Sequence, residues 1–336
     1  MTKPDTASHG VRLLEVGEDS DGQRIDNYLL KQLKGVPKSV IYKILRKGEV
    51  RVDKKRAKPD YRLSIGEMVR IPPVRQASRG EPQPVGDGLK KLIEDAILYE
   101  DDALMVVNKP AGLAVHGGSG VSVGLIEVIR EMRQPARFLE LVHRLDKDTS
   151  GCIMVAKKRS MLKTLHQKLR DDSGIQKQYL ALVCGRWKGK QHRIEAPLEK
   201  FHLASGERMV RVAREGKPSL TLFKWREHFA GATLVEAYPV TGRTHQIRVH
   251  ALHAGHPLAG DPKYTPQDLN AGFRESGLRR LFLHASRISV PDLFRDGEAF
   301  EVEAPLDPEL EGFLQVLRAR EKAGGEAHSE QGHSNQ

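Results

Sequence analysis

The stretch HRLDKDTSG, His143 to Gly151, sets an imidazole, a guanidinium and two carboxylates between the apolar runs FLELVHRL and GCIMVA. Two strand-like runs this close put Asp146 at or near a strand-to-strand turn. One role for such an aspartate is to accept bonds from turn amides, with Gly151 supplying an unusual backbone angle. The other is chemistry: a carboxylate shielded from water acts as nucleophile or base when a neighbouring guanidinium favours its charged form. His143 and Arg144, just upstream, are more than a turn requires. DTSG also suggests the Asp-Thr-Gly turn of aspartic proteases, but that chemistry needs two equivalent turns sharing one proton. The other Asp-Gly steps, at Asp21, Asp87 and Asp296, lack the flanking pattern.

A second constellation, TGRTHQIRVHALHAGHPLAGD, runs from Thr241 to Asp261 and holds His245, His250, His253 and His256. Four histidines invite a zinc reading, yet there is no HExxH, no cysteine nearby and one close acidic residue, Asp261. The structural alternative buries Ile247, Val249 and Leu252 and leaves the histidines to hydrogen-bond near a site. Tyr179 opens the apolar strand of GIQKQYLALV, where a tyrosine is commonly a half-buried core aromatic. NKPAGLAVHGGSG, Asn108 to Gly120, is glycine-rich but lacks the Gly-Lys-Ser/Thr ending of a P-loop, and no GxGxxG follows a strand. No metal or cofactor is expected.

These residues must be positioned by a chain of 336 residues, 39% hydrophobic, long enough for two domains. Its first residues carry no apolar leader and no run of about 18 apolar residues occurs, so a cytoplasmic, non-membrane protein is expected. Cys152 and Cys184 sit in strand-like runs as buried thiols rather than a disulfide. The net charge of +11 is concentrated: residues 22–75 hold 15 basic and 5 acidic side chains. A basic excess in a folded segment points to a polyanionic partner. That segment reads as two short helices, the first carrying Ile25, Leu29 and Leu33 and the second Val40, Ile41, Ile44 and Leu45, followed by the strands VRV and MVRI. Its exposed cations are expected to include Lys38, Lys43, Arg46, Lys47, Arg51, Lys54, Lys55 and Arg56.

Polar RQASRGEPQPVGDG marks a linker, placed at 76–92. Beyond it, strand-like runs recur at 96–100, 103–110, 138–143, 151–158, 179–185, 233–240 and 281–290, with helical periodicity clearest at 123–132 and 161–169. Many strands and few helices in irregular order predict an α+β domain, 93–320, around a mixed, largely antiparallel sheet. Residues 1–21 are expected to be a flexible extension and 321–336 a disordered tail. With no extra apolar stripe, a monomer is expected.

Taken in order, NKPAGLAVHGG, HRLDKDTSG, KQYLALV and GRTHQIRVHALHAGHPLAGD resemble the motifs of the RluA-type pseudouridine synthases. The resemblance covers residues 95 to about 318. Residues 22–75 resemble the small α-L RNA-binding domain first described in ribosomal protein S-four. The pairing of the two, with KGVPKSVIYKILRKGEVRV, is similar to the branch that modifies large-subunit (23S) ribosomal RNA. The resemblance implies the pseudouridine synthase fold and isomerisation of uridine without cofactor or metal. It implies Asp146 as the essential carboxylate, with attack on ribose, addition to uracil and removal of a ribose proton all open. Arg248 matches the arginine that pairs with it, and Tyr179 the tyrosine that stacks on the base. Arg144 and His143 are implied beside the flipped nucleotide, and Arg243, His245 and Gln246 on the RNA. Two alternatives stand beside this: the same reaction on transfer RNA, or a catalytically silent ribosome-assembly protein that binds RNA.

Overall fold

The computed structural model describes residues 10–33, 36–74, 85–117, 123–136, 138–171, 174–189, 191–294 and 299–331. The chain divides into two compact units, Met1–Pro84 and Val85–Gln336.

In the first unit a four-stranded antiparallel sheet carries β1 (Arg12–Glu15), β2 (Arg51–Val52), β3 (Lys55–Arg56) and β4 (Met68–Ile71) in the order β1-β4-β2-β3. Helix α1 (Ile25–Gln32) buries Ile25, Tyr28 and Leu29, and α2 (Lys38–Arg46) buries Ile41, Ile44 and Leu45. Both sets follow the i, i+3, i+4 spacing of one helical face, and they close on Val50, Val52, Val69 and Ile71. Asp53 and Lys54 both take positive φ, the geometry a two-residue hairpin between β2 and β3 needs. Strand β1 corrects the expectation of a flexible extension through residue 21. Leu14 and Val16 alternate inward, so Arg12–Glu15 pairs along β4. Residues 1–9 lie outside the described residues.

The second unit is built on a ten-stranded sheet. Its strands are β5 (Ile97–Glu100), β6 (Leu104–Lys109), β7 (Glu140–Leu141), β8 (Ser150–Ala156), β9 (Gln176–Cys184), β10 (Gln191–Glu195), β13 (Leu220–Phe229), β14 (Ala232–Pro239), β15 (Leu283–Val290) and β16 (Phe300–Glu303). The order is β10-β13-β14-β9-β15-β8-β6-β5, with β16 on β15 and β7 on β8. Among the described residues only the β8–β15 ladder is parallel, so the sheet is mixed and largely antiparallel as expected. A separate hairpin, β11 (Leu198–His202) and β12 (Arg208–Val212), leaves the sheet between β10 and β13.

The central strands are apolar on both faces because both are covered. Met105, Val107, Ile153, Val155, Ala181 and Val183 pack with α4 (Leu125–Met132) and α6 (Gln246–His253). The alternate residues Leu104, Val106 and Met154 pack with α5 (Arg159–Lys168), and Leu182 and Leu234 with Phe273 of α7 (Gln267–Glu275) and with α8 (Pro308–Gln331). Cys152 and Cys184 are buried free thiols.

Two boundaries differ from expectation. Helix α3 (Asp87–Asp95) occupies part of the expected linker, because Ile93 and the preceding Val85 are core residues of this unit. Residues 76–84 of that linker lie outside the described residues. Helix α8 continues to Gln331, where a disordered tail was expected from 321. Leu310, Phe313, Leu314 and Leu317 pin its first turns, Arg318 pairs with Glu227, and the Ala, Arg, Glu and Lys of 318–323 suit a helix that runs past 321. Residues 332–336 lie outside the described residues.

Candidate active site

The connection from β7 to β8 carries Asp146, and a turn closed by the Thr149 N–H on the Asp146 carbonyl (3.2 Å) follows it. At Gly151 φ is +109°, and a Cβ there would lie 2.3 Å from the Ala285 carbonyl oxygen. Only glycine therefore lets β8 come against β15 at the point where the turn enters the sheet. From β6, the fully buried Lys109 reaches under the turn. Its Nζ donates to the carbonyls of Pro110 (2.8 Å), Leu113 (2.8 Å) and Lys147 (3.0 Å). Gly112 N–H donates to the same Lys147 oxygen (2.9 Å), so the NKPAG segment grips the backbone one residue after Asp146. Burial pulls the Lys109 ammonium down to about 7. His143 braces the turn from the other end: its Nε2 accepts the Met154 N–H (3.2 Å), and burial, then the charge of Lys177, brings its pKa to about 3, leaving it neutral.

The Asp146 carboxylate faces two groups from α6. Arg248 Nη1 lies 3.6 Å from its Oδ2 and His245 Nε2 lies 3.7 Å from the same oxygen. Arg248 stands in the first turn of α6 and His245 is the left-handed residue that caps it, so the start of one helix delivers both. Arg248 is 2% exposed and is held from behind, with Nε and Nη2 each donating to Asp261 at 2.7 Å. Asp261 is 0% exposed and also accepts the Lys263 N–H at 2.9 Å. The guanidinium lies 5.0 Å over the Tyr264 ring. One edge of Arg248 is thus committed to a buried carboxylate while the other is presented to Asp146.

Tyr179, on β9, lines the same cavity of about 480 Å³, together with Asp146, Arg248 and His245. Its hydroxyl is raised well above the ordinary tyrosine range, first by burial and then by the negative charge of Asp146. Lys177, two residues away on the same strand face, lines the cavity as well, and burial lowers its pKa. Arg144 and Arg243 complete a basic lining; Arg144 is exposed and has no ion-pair partner among the described residues.

The three residues expected to carry chemistry are therefore brought together. The RNA-facing set divides. Gln246 corrects its expectation: it is buried, its Oε1 accepts from the Thr241 hydroxyl and Arg243 N–H, and its Nε2 donates to Leu220 O and Thr221 Oγ1. That side chain pins the start of α6 to β13 and has no polar group left for RNA. His245 lies beside Asp146 in the cavity lining. Leu252, expected in the core, is exposed, while Ile247 and Ala251 pack into the sheet core and Val249 on the opposite side of α6 packs with Leu198 and Val210 of the β11–β12 hairpin. The histidines have separate partners: His250 bonds Thr221 Oγ1 and the Ala196 carbonyl, and His256 Nδ1 lies against the Cys184 carbonyl. In the first unit, Lys38, Lys43, Arg46, Lys47, Arg51, Lys54, Lys55 and Arg56 are all exposed. Missed from sequence were Lys109, Lys177, Asp261 and Tyr264. The i, i+3 spacing of Asp261 and Tyr264 in GDPKY was the available signal.

Comparison with known proteins agrees with this geometry. Residues 103–253 match the family described as RNA pseudouridylate synthase, and residues 23–69 match the S4 domain. The chain is 57% identical over 312 residues to the ribosomal large subunit pseudouridine synthase C of Yersinia pestis, covering 92% of this chain and 96% of that one. It is 56% identical over 317 residues to that of Escherichia coli K12, covering 93% and 98%. Among solved structures it is similar to human RNA pseudouridylate synthase domain containing 4, with TM-score 0.57 and 27% identity over 69% of this chain and 96% of that one. With a carboxylate, an arginine and a tyrosine gathered on this fold, and relatives this similar over nearly their whole length, the chain belongs to the RNA pseudouridylate synthase family.

Proposed function

We propose that this protein isomerises uridines of large-subunit ribosomal RNA to pseudouridine, in the cytoplasm and as a monomer, with Asp146 as the essential carboxylate. The RNA class is supported by the names of the similar relatives. No helix among the described residues is long and apolar enough to cross a membrane. The single observation that carries the mechanism is Asp146 held 3.6 Å from the buried Arg248 in the cavity that Tyr179 lines.

The reaction breaks the bond from ribose to the ring nitrogen, turns the uracil and joins carbon 5 to the ribose. A uracil stacked in folded RNA cannot reach this cavity, so the nucleotide is turned out of its strand into it. Asp146 meets it as an anion, Arg248 supplies the compensating charge, and the apolar face of Tyr179 lies against the base. Arg144 and Arg243 suit the phosphates on either side of the flipped nucleotide. The basic first unit adds phosphate contacts that give affinity with little sequence reading. Its exposed cations on α2 and the β2–β3 turn are the residues we assign to that task.

The test is release of tritium from carbon 5 of labelled uridine in large-subunit RNA. Release by the wild type and none by Asp146→Asn is expected; equal release from both would remove Asp146 from the role.

A further inference from the structure

His245 heads α6 in a left-handed backbone conformation, φ 54° and ψ 19°, which non-glycine residues adopt at a cost. That conformation turns its ring between two partners. On one side Nδ1 lies 2.6 Å from the Tyr264 hydroxyl, and on the other Nε2 lies 3.7 Å from Asp146 Oδ2. Tyr264 is 9% exposed, and its hydroxyl oxygen accepts the Val210 N–H of β12 at 3.0 Å.

The hydrogen bonds fix the direction of the chain. A hydroxyl has one proton to give; the Val210 amide can only donate to the Tyr264 oxygen, and among the described residues His245 Nδ1 is the one hydrogen-bond partner able to take that proton, so a second acceptance would leave a buried O–H unmet. The short contact to Nδ1 is then Tyr264 O–H donating to an unprotonated ring nitrogen. A neutral imidazole with a bare Nδ1 carries its proton on Nε2, the atom that faces Asp146. Burial keeps His245 below its ordinary range, in keeping with a neutral ring.

We propose that His245 is a positioning residue for Asp146: Tyr264 holds it in the Nε2–H tautomer, and that N–H steadies the carboxylate as the nucleotide enters. The 3.7 Å gap is longer than a hydrogen bond, and closing it takes less than an ångström. The chain begins outside the sheet, in the β11–β12 hairpin. That hairpin is tied a second time to the same loop, through the ion pair of Glu207, at its turn, with Lys263. The hairpin is thereby coupled to the catalytic carboxylate through one tyrosine and one imidazole.

This inference rests on the reaction proposed above, and its primary test is independent of that reaction. Long-range proton–nitrogen correlation spectra of the full chain with 15N-labelled histidine, assigned with His245→Gln, report the tautomer without RNA. A protonated Nε2 and a bare Nδ1 are expected in the wild type, with a mixture in Tyr264→Phe. A ring protonated on Nδ1 in the wild type would overturn the proposal, whatever RNA the enzyme uses. In single-turnover tritium release at saturating RNA, His245→Leu should slow turnover about tenfold to a hundredfold, the scale of one hydrogen bond to a charged group. His245→Gln, whose amide N–H falls near the position of Nε2, should recover most of that loss, while RNA affinity stays within about threefold. Wild-type rates in a folded His245→Leu variant, or equal losses in Leu and Gln, would equally overturn it.

Discussion

Replacing Asp261 by Asn tests whether the buried pair behind the cavity holds Arg248 in the arrangement proposed for catalysis. The carboxylate is 0% exposed and the guanidinium of Arg248 2%, with two charge-assisted bonds of 2.7 Å between them. Charge centres about 4 Å apart attract by about 4 kcal/mol at an effective dielectric near 20. Asn keeps one acceptor and loses the charge, leaving Arg248 buried with Asp146 as its remaining anion. Breaking a buried pair from one side costs about 3–5 kcal/mol, a large fraction of the roughly 5–15 kcal/mol that stabilises a domain. Urea unfolding should show that loss for Asp261→Asn. Tritium release should fall more than tenfold, because the freed guanidinium no longer has a fixed edge to present to Asp146. The double variant Asp261→Asn, Arg248→Met removes the stranded charge and should be more stable than Asp261→Asn alone, though inactive. If Asp261→Asn costs less than about 1 kcal/mol, or the two substitutions simply add, the pair is not what fixes Arg248.

Lys109→Met leaves the Pro110 and Leu113 carbonyls under the Asp146 turn without a donor, and the Lys147 carbonyl with the Gly112 N–H alone, and should cost about 2–4 kcal/mol, with slower tritium release, read by urea unfolding and the RNA assay. Gly151→Ala forces a methyl to 2.3 Å from the Ala285 oxygen at φ +109°, so a loss of at least about 3 kcal/mol, or no soluble protein, is expected from thermal melts. His143 titrates near 3 in the folded protein against 6.5 when exposed, so between these values the unfolded chain binds a proton that the folded one does not. Stability should therefore fall as pH drops from about 6.5 toward 3, by at most about 1.4 kcal/mol per pH unit from this group. His143→Gln should flatten that slope in urea midpoints measured at pH 7 and pH 5.

Local signals carried much of this far. The i, i+3, i+4 apolar spacing of α1 and α2 placed both helices, and continuous apolar runs located β6, β8 and β9, because strands covered on both faces have no polar alternation to hide them. Strands β10 to β13 went unread: QHRIE, LEKFH, RMVRV and LTLFKWREHF are heavily charged, and nothing in single-segment composition distinguishes a strand with one wet face from a loop. The GRTHQIRVHALH segment has little amphipathic contrast, since α6 is buried through polar as well as apolar residues, among them Gln246, Arg248 and His250. Its histidines then looked like candidates for one site, although His245, His250 and His256 have separate partners and His253 is exposed.

Sequence alone determined which side chains were available for chemistry, since Asp146, Tyr179 and Arg248 stand in short motifs whose residue types and order are distinctive, and it determined where the positive charge lies. Tertiary structure decided what those side chains do to one another. Lys109 clamps a turn 38 residues away, Asp261 locks an arginine from 13 residues beyond it, and a hairpin amide sets the ring of His245 through Tyr264. Those contacts depend on the sheet order and on burial, which raise the strength of each polar contact and exist only once the chain has folded.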